Sequence, residues 1–265
     1  MSLRIQNNVE ALGAHRNLTV TSGHMAKSME RLSSGFRINR AADDAAGLAI
    51  SERMRSQVRG LAQTTRNIQD GVSLVQTAEG NLDEVHSMLQ RVRELAVQYK
   101  NGTLSTSDQA AIQTEVNQLA SEIERIGTSA KFNGITLLAV AGTVTFQVGV
   151  NDGDSITVST ISLGETVGSF TALSSSTALS AIDAAITAVS SARSTFGAVQ
   201  NRLEHSLSAN AIYRENLVSA ESRIRDVDMA AEMVTLTKYQ ILQQAGTSML
   251  AQANQASQGV LSLIR

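Results

Sequence analysis

The chain has 265 residues, 42% of them hydrophobic but only 3% aromatic, and it contains no Pro, Cys or Trp. Lacking Cys, it has neither disulfides nor thiolate metal ligands; lacking Pro, it has nothing that forces a helix to break. A net charge of −2 gives no global attraction to nucleic acid, and no apolar run approaches the roughly 20 residues of a membrane span.

The length fits one or two domains. Many Ala, Leu, Val and Ile with few aromatics favour long helices over a bulky enzyme core. No positively charged segment followed by an apolar one opens the sequence, so a cleavable signal peptide is not expected.

From Leu3 to Leu32, the apolar positions Ile5, Val9, Leu12, Leu18, Met25, Met29 and Leu32 recur at steps of three, four and seven. That is one narrow helical stripe, which needs a partner helix to be buried. Ser33, Ser34 and Gly35 end it, and Asp43 and Asp44 have the chemistry of a cap on the next helix. The run from Arg31 to Arg66 holds seven Arg against Asp43, Asp44 and Glu52, a local +4 that reads as a solvated or subunit-facing surface. A nucleic-acid interface would call for a basic domain or stacking aromatics.

Beyond this joint, Met54, Val58, Leu61, Ile68, Val72, Val75, Leu82, Val85, Leu89, Val92, Ala96 and Tyr99 keep a near-3.5-residue repeat, which predicts coiled-coil packing from Asp44 to Tyr99. Gly47, Gly60, Gly71 and Gly80 interrupt it, and close helix contact is one reason for them. Ser105 to Asp108 has capping-box spacing, and Ile112, Val116, Leu119, Ile123 and Ile126 predict a second helix stopped by Gly127. Asn133-Gly134 is a turn signal. Val144, Phe146, Val148 and Val150 then alternate, as do Ile156 and Val158 after Asn151-Asp152-Gly153-Asp154, which predicts a hairpin. Residues 163–177 read as a polar surface loop, whose Ser174-Ser175-Ser176-Thr177 has the composition of an O-glycan acceptor or of a plain loop.

Helical spacing returns from Leu179 to Ile224, loosens at Arg225-Asp226-Val227-Asp228, and resumes through Met233, Leu236, Leu242, Met249, Val260 and Leu263. The layout is symmetric in kind: terminal helix, joint, long helix, β region, long helix, joint, terminal helix. The expected fold is mainly α, with long antiparallel coiled-coil helices and a small β-hairpin region. The expected divisions are residues 1–43 and 225–265 as the two halves of a terminal coiled coil, each with its joint. Between them, 44–224 form a helical rod with its β region at about 131–162. The terminal segments should be marginal alone and gain a core by stacking on copies of themselves, and repeated heterologous contacts build filaments.

The search for chemistry yields no catalytic, metal or cofactor site. The four His residues have no metal-ligand spacing, and neither GxSxG, HExxH nor a phosphate-binding glycine loop is present. Adjacent carboxylates such as Asp83-Glu84 diverge on a helix.

The run LSSGFRINRAADDAAGLAISERMR resembles the N-terminal signature of the bacterial flagellins. RIQNNVEALGAHRNL, LQRVRELAVQ, FNGITLL, FQVGVNDGD, IRDVDMAAEM and MLAQANQ extend the resemblance over the chain. The resemblance implies a non-enzymatic subunit of the flagellar filament, a short form without large outer domains, that serves swimming motility. It further implies export by the flagellar type III route without a cleaved signal peptide, hence an extracellular location. The implied partners are other copies of the chain, an export chaperone at the C-terminal helix, and the filament cap and hook–filament junction proteins. Neither nucleic acid nor membrane insertion is implied. Polymerisation would fall to Ile5, Val9, Leu12, Leu18, Met25, Met29, Leu32, Met233, Leu236, Leu242, Met249, Val260 and Leu263. Gln90, Arg91, Glu94, Leu95 and Glu115 match positions through which the vertebrate flagellin-sensing Toll-like receptor recognises the family. Arg91, Leu95 and Gln98 share a face expected to be open. A hook–filament junction protein, which shares the terminal coiled coil, is the alternative.

Overall fold

The computed structural model describes residues 8–164 and 179–263, with side chains described as far as residue 255. Ile5, residues 165–177 of the expected polar loop with its Ser174 to Thr177, and the side chains of Val260 and Leu263 therefore lie outside the described residues, while Leu163, expected to open that surface loop, is instead buried in the core. Among the described residues there are five long helices: α1 (Val9–Ser34), α2 (Ala45–Tyr99), α3 (Thr106–Ser129), α4 (Leu179–Arg225) and α5 (Met229–Leu263). Between α3 and α4 come two hairpins, β1 (Lys131–Phe132) with β2 (Ile135–Thr136), and β3 (Gly142–Gln147) with β4 (Ser155–Thr160). The chain divides into two compact units, residues 1–56 with 216–265, and residues 57–215.

In the terminal unit, Gly35 ends α1 with φ of 74°, the left-handed conformation glycine adopts without steric cost. Asp44 caps α2, its Oδ1 accepting from the Gly47 N–H at 2.9 Å. Asp43 does something different from capping. It accepts from the backbone N–H groups of Asn39 and Arg40 and pairs with Lys27 Nζ at 2.6 Å, which closes the joint as a turn against α1. The Lys27 ammonium and those N–H groups hold the Asp43 carboxyl at about 2.

The second joint packs on the first. Phe36 and Asp226 form an antiparallel bridge, Arg37 N–H donates to Arg225 O at 2.7 Å, and Val227 N–H donates to Gly35 O at 3.0 Å. The Arg225 guanidinium lies 4.8 Å from the Phe36 ring centre and donates to Glu52 Oε1 at 2.8 Å. Asp228 then caps α5 through the Ala230 and Ala231 N–H groups.

The central unit holds a continuous core. Ile68, Val75, Leu82, Val85, Leu89 and Val92 of α2 meet Val116 and Ile123 of α3 and Ile182, Val189, Phe196 and Leu203 of α4. Ser105 and Asp108 form the expected reciprocal capping box at the start of α3. This helix runs two residues past the expected stop, because Gly127 is buried against Leu163 and the Leu138 carbonyl and works as a packing position. Asn133 (φ 48°) and Gly134 (φ 81°) make the two-residue left-handed turn of the first hairpin.

In the second hairpin, Val144 faces Val158 and Phe146 faces Ile156, which turns one apolar face inward. Val148 and Val150 lie beyond the paired strand, where the expectation had placed them inside it. Their segment is seated on the helices: Asn67 Nδ2 of α2 donates to Gln147 O at 3.3 Å, and Asn210 Nδ2 of α4 donates to Val148 O at 2.6 Å. Gly60 faces Val150, and Gly71 faces Phe146 and Leu203, at distances where an added Cβ would sit 2.8 and 3.3 Å from its neighbours. These two glycines thus admit the hairpin as well as a helix, while Gly80 faces open space.

Candidate functional site

The terminal helices α1 and α5 pack antiparallel, and their rungs fix the register. Asn8, the cap of α1, donates through Nδ2 to Ala253 O at 2.9 Å. Leu18 seats over Gly246, where an added Cβ would lie 3.3 Å from Leu18 Cδ1. The His24 and Tyr239 rings stack with centroids 5.2 Å apart, and Arg31 meets Glu232 at 3.5 Å.

The pair covers one side of each helix and leaves the rest open. Val9, Leu12 and Met29 of α1 are exposed, as are Met233, Leu242 and Met249 of α5, all among the residues assigned to polymerisation from the resemblance. Leu18, Met25, Leu32 and Leu236 of that set are half-buried. Val20, Val234 and Ile241 add to the open apolar surface, with Val234 71% exposed. An open groove of about 890 Å³ runs between the helices, its floor narrowed to small side chains by Gly13, Ala14, Ala245 and Gly246. A groove of that composition admits another helix at close range.

The second candidate lies on α2 and α3. Arg91 donates to Glu115 Oε1 through both Nε (3.1 Å) and Nη2 (3.0 Å), and to Glu94 Oε2 through Nη1 at 3.1 Å. The two carboxylates, Glu115 first, raise the Arg91 pKa further. Gln90 is exposed beside this cluster and bonds His86 at 2.9 Å. The structure thus brings Arg91, Glu94 and Glu115 together. Leu95 overturns the expectation of an open face: it is 2% exposed and belongs to the core. Stepping three and four residues from Val92 and Leu89 cannot separate two neighbouring faces when a helix packs on more than one partner. Gln98 stays exposed.

Among the described residues, no group of three or more His, Asp or Glu is placed to hold a metal ion. No helix among them is long and apolar enough to cross a membrane. Sequence reasoning missed the amides Asn67 and Asn210 and the Arg225–Phe36–Glu52 cluster, whose partners are remote in sequence.

These features define a helical structural protein with apolar, unsealed terminal helices. Residues 5–143 match the family model of the bacterial flagellin N-terminal helical region, and residues 179–264 that of the C-terminal helical region. The chain belongs to the bacterial flagellin family. It is 52% identical over 272 residues to the flagellin of Halalkalibacterium halodurans, covering 98% of this chain and 99% of that one. It is 45% identical over 306 residues to the flagellin of Bacillus subtilis, covering 99% and 100%. The flagellar filament 33 kDa core protein of Treponema phagedenis is 46% identical over 284 residues, with 98% and 99% covered. Among solved structures, the flagellin of Bacillus cereus matches at a TM-score of 0.52 with 33% identity, covering 55% of this chain and 88% of that one. A putative flagellar hook-associated protein of Vibrio parahaemolyticus matches at 0.57 over 69% of this chain and 100% of that one; at 16% identity it shares the fold alone.

Proposed function

We propose that the chain is the repeating subunit of an extracellular bacterial flagellar filament used for swimming, and that the α1–α5 pair is its polymerisation element. The observation that carries this reading is the open apolar surface of that pair, Val9, Leu12, Met29, Met233, Leu242 and Met249, flanking a groove floored by small residues. A two-helix pair has two wet flanks; copies stacked in a helical array cover both and supply the missing core. The three named relatives, called flagellins or a filament core protein and aligned nearly end to end, support the same reading. Before assembly, the face carrying Met233, Val234 and Ile241 suits an export chaperone. Export through the flagellar route, the cap protein at the growing tip and the junction protein at the base complete the proposal. In it, residues 1–43 and 225–265 form the assembly domain and 44–224 the rod.

The test is removal of residues 1–33 and 232–265. Salt-induced polymerisation, followed by electron microscopy and sedimentation, should be lost, while the remaining chain keeps its helical circular dichroism. Filaments from the truncated chain would overturn the proposal.

The Arg91–Glu115–Glu94 cluster is proposed as the contact for the vertebrate flagellin-sensing Toll-like receptor, with Gln90 at its edge and Leu95 only supporting it from below. A solvent-facing guanidinium anchored on two helices is preorganised for a partner, and Arg is typical of interface hot spots. Arg91→Ala should weaken monomer binding to the receptor ectodomain about thirtyfold. Equal affinities for wild type and variant would leave the cluster with packing alone.

A further inference from the structure

Two Asn-Gly pairs stand in this chain, Asn101-Gly102 and Asn133-Gly134, and both are exposed. Asparagine before glycine can cyclise. The backbone nitrogen of the glycine attacks the side-chain carbonyl carbon Cγ, the Cγ–Nδ2 bond breaks, and Nδ2 leaves as ammonia with the proton the glycine nitrogen gives up. Water then opens the ring at either carbonyl, giving aspartate or isoaspartate. The reaction needs only water, and its rate is set by how freely the glycine nitrogen can swing under Cγ.

The two pairs differ in that freedom. Asn101 follows the last turn of α2, with its own N–H bonded to Gln98 O at 3.0 Å. Rotation of the Asn101–Gly102 peptide about the Cα–C bond of Asn101 leaves that bond in place. It gives up one long bond, from Leu104 N–H to Asn101 O at 3.3 Å. Among the described residues, neither the Gly102 N–H nor the Asn101 side-chain amide has a hydrogen-bond partner; the space beside Gly102 is open, as it is beside Gly134, so the difference lies in the backbone. Gly102 adds the backbone freedom of its residue type.

Asn133-Gly134 is held. Both residues have positive φ (48° and 81°) in a two-residue turn. In this turn type the left-handed backbone of Asn points the following nitrogen away from its own side chain. Swinging that nitrogen toward Cγ breaks the Phe132↔Ile135 and Lys131↔Thr136 pairing, and with it the small sheet.

We infer that Asn101 is a site of spontaneous deamidation, and that the hairpin protects Asn133 from the same reaction. Each event adds one negative charge after α2, and the isoaspartate product also lengthens the backbone there by one carbon.

The test incubates purified full-length protein in mildly alkaline heavy-oxygen water, followed by brief tryptic digestion in ordinary water, so that only events in the intact protein carry label. Trypsin releases Asn101 to Arg125 as one peptide and Asn133 within Phe132 to Arg193. Fragment masses then locate the label. The expected result is heavy-oxygen carboxyl accumulating about tenfold faster at residue 101 than at 133, and Gly102→Ala slowing residue 101 by a similar factor because a Cβ restricts the attacking backbone. Equal labelling at the two positions, faster labelling at 133, or a Gly102→Ala variant that labels residue 101 at the wild-type rate would each overturn the inference.

Discussion

The central unit and the terminal unit are built from the same kind of helix, yet they bury very different amounts of it. In residues 57–215, Ile68, Leu82, Val85, Val92, Val116, Ile123 and Phe196 are at most 1% exposed, because three helices and a hairpin close around one another. In the terminal unit, Ile38 is the single fully buried apolar side chain among the described residues. The difference lies in the number of neighbours and not in hydrophobicity: two helices can seal one stripe, whereas a third element encloses a core. The terminal unit is thus apolar but unsealed within one chain.

The comparison can be broken most directly by truncating side chains in each unit. Leu82→Ala and Leu95→Ala should each cost about 3 kcal/mol in urea unfolding, since both side chains are fully enclosed. Leu242→Ala should cost under about 1 kcal/mol in the monomer, being 45% exposed there, while it slows or abolishes polymerisation. Equal monomer costs at Leu82 and Leu242 would erase the distinction between the units.

A smaller effect sharpens the account of the central unit. Asn210→Ala removes the donor to Val148 O and should cost about 1–2 kcal/mol. Hydrogen exchange should quicken at Val148 and Gly149, whose N–H groups bond Asp154 O. Unchanged protection there would mean that Gly60 and Gly71 suffice to seat the hairpin.

The smallest effect concerns the terminal unit and acid. The Asp43 carboxyl is held at about 2 against an ordinary 3.8, through Lys27 first and the Arg40 and Asn39 N–H groups after it. A lowered carboxyl stabilises the folded joint fully above the ordinary value and loses that contribution as pH falls through about 2. Carboxyl-carbon NMR titration should give Asp43 a midpoint at about 2, and Lys27→Met should move it upward. A wild-type midpoint at the ordinary value would remove the Lys27–Asp43 contact from the account.

Much of this was legible in the sequence where the determinant is local. Gly35, Asp44, the Ser105–Asp108 box and the Asn133-Gly134 turn act on residues within four positions of themselves, so their chemistry announces the structure. Periodicity located α2 from Asp44 to Tyr99 for the same reason. What escaped was set by tertiary neighbours. Leu95 reads as a second face until α2 is seen to pack on several partners at once. Gly127 reads as a stop until Leu163 is placed against it. Asp43 and Asp44 look interchangeable until Lys27 selects one of them. The Arg91 cluster was half legible: Arg91 and Glu94 share a helix turn, but Glu115 meets them only because α3 folds back.

The register of α1 on α5 also bears on what the pair requires of the chain. Each rung draws one residue from near the beginning of the chain and one from near its end: Asn8 with Ala253, Leu18 with Gly246, His24 with Tyr239, Arg31 with Glu232. A product that stops short by thirty residues, at 235, has its first half intact and still lacks every rung but the last. Pairing of α1 with α5 therefore depends on residues some two hundred positions apart in sequence.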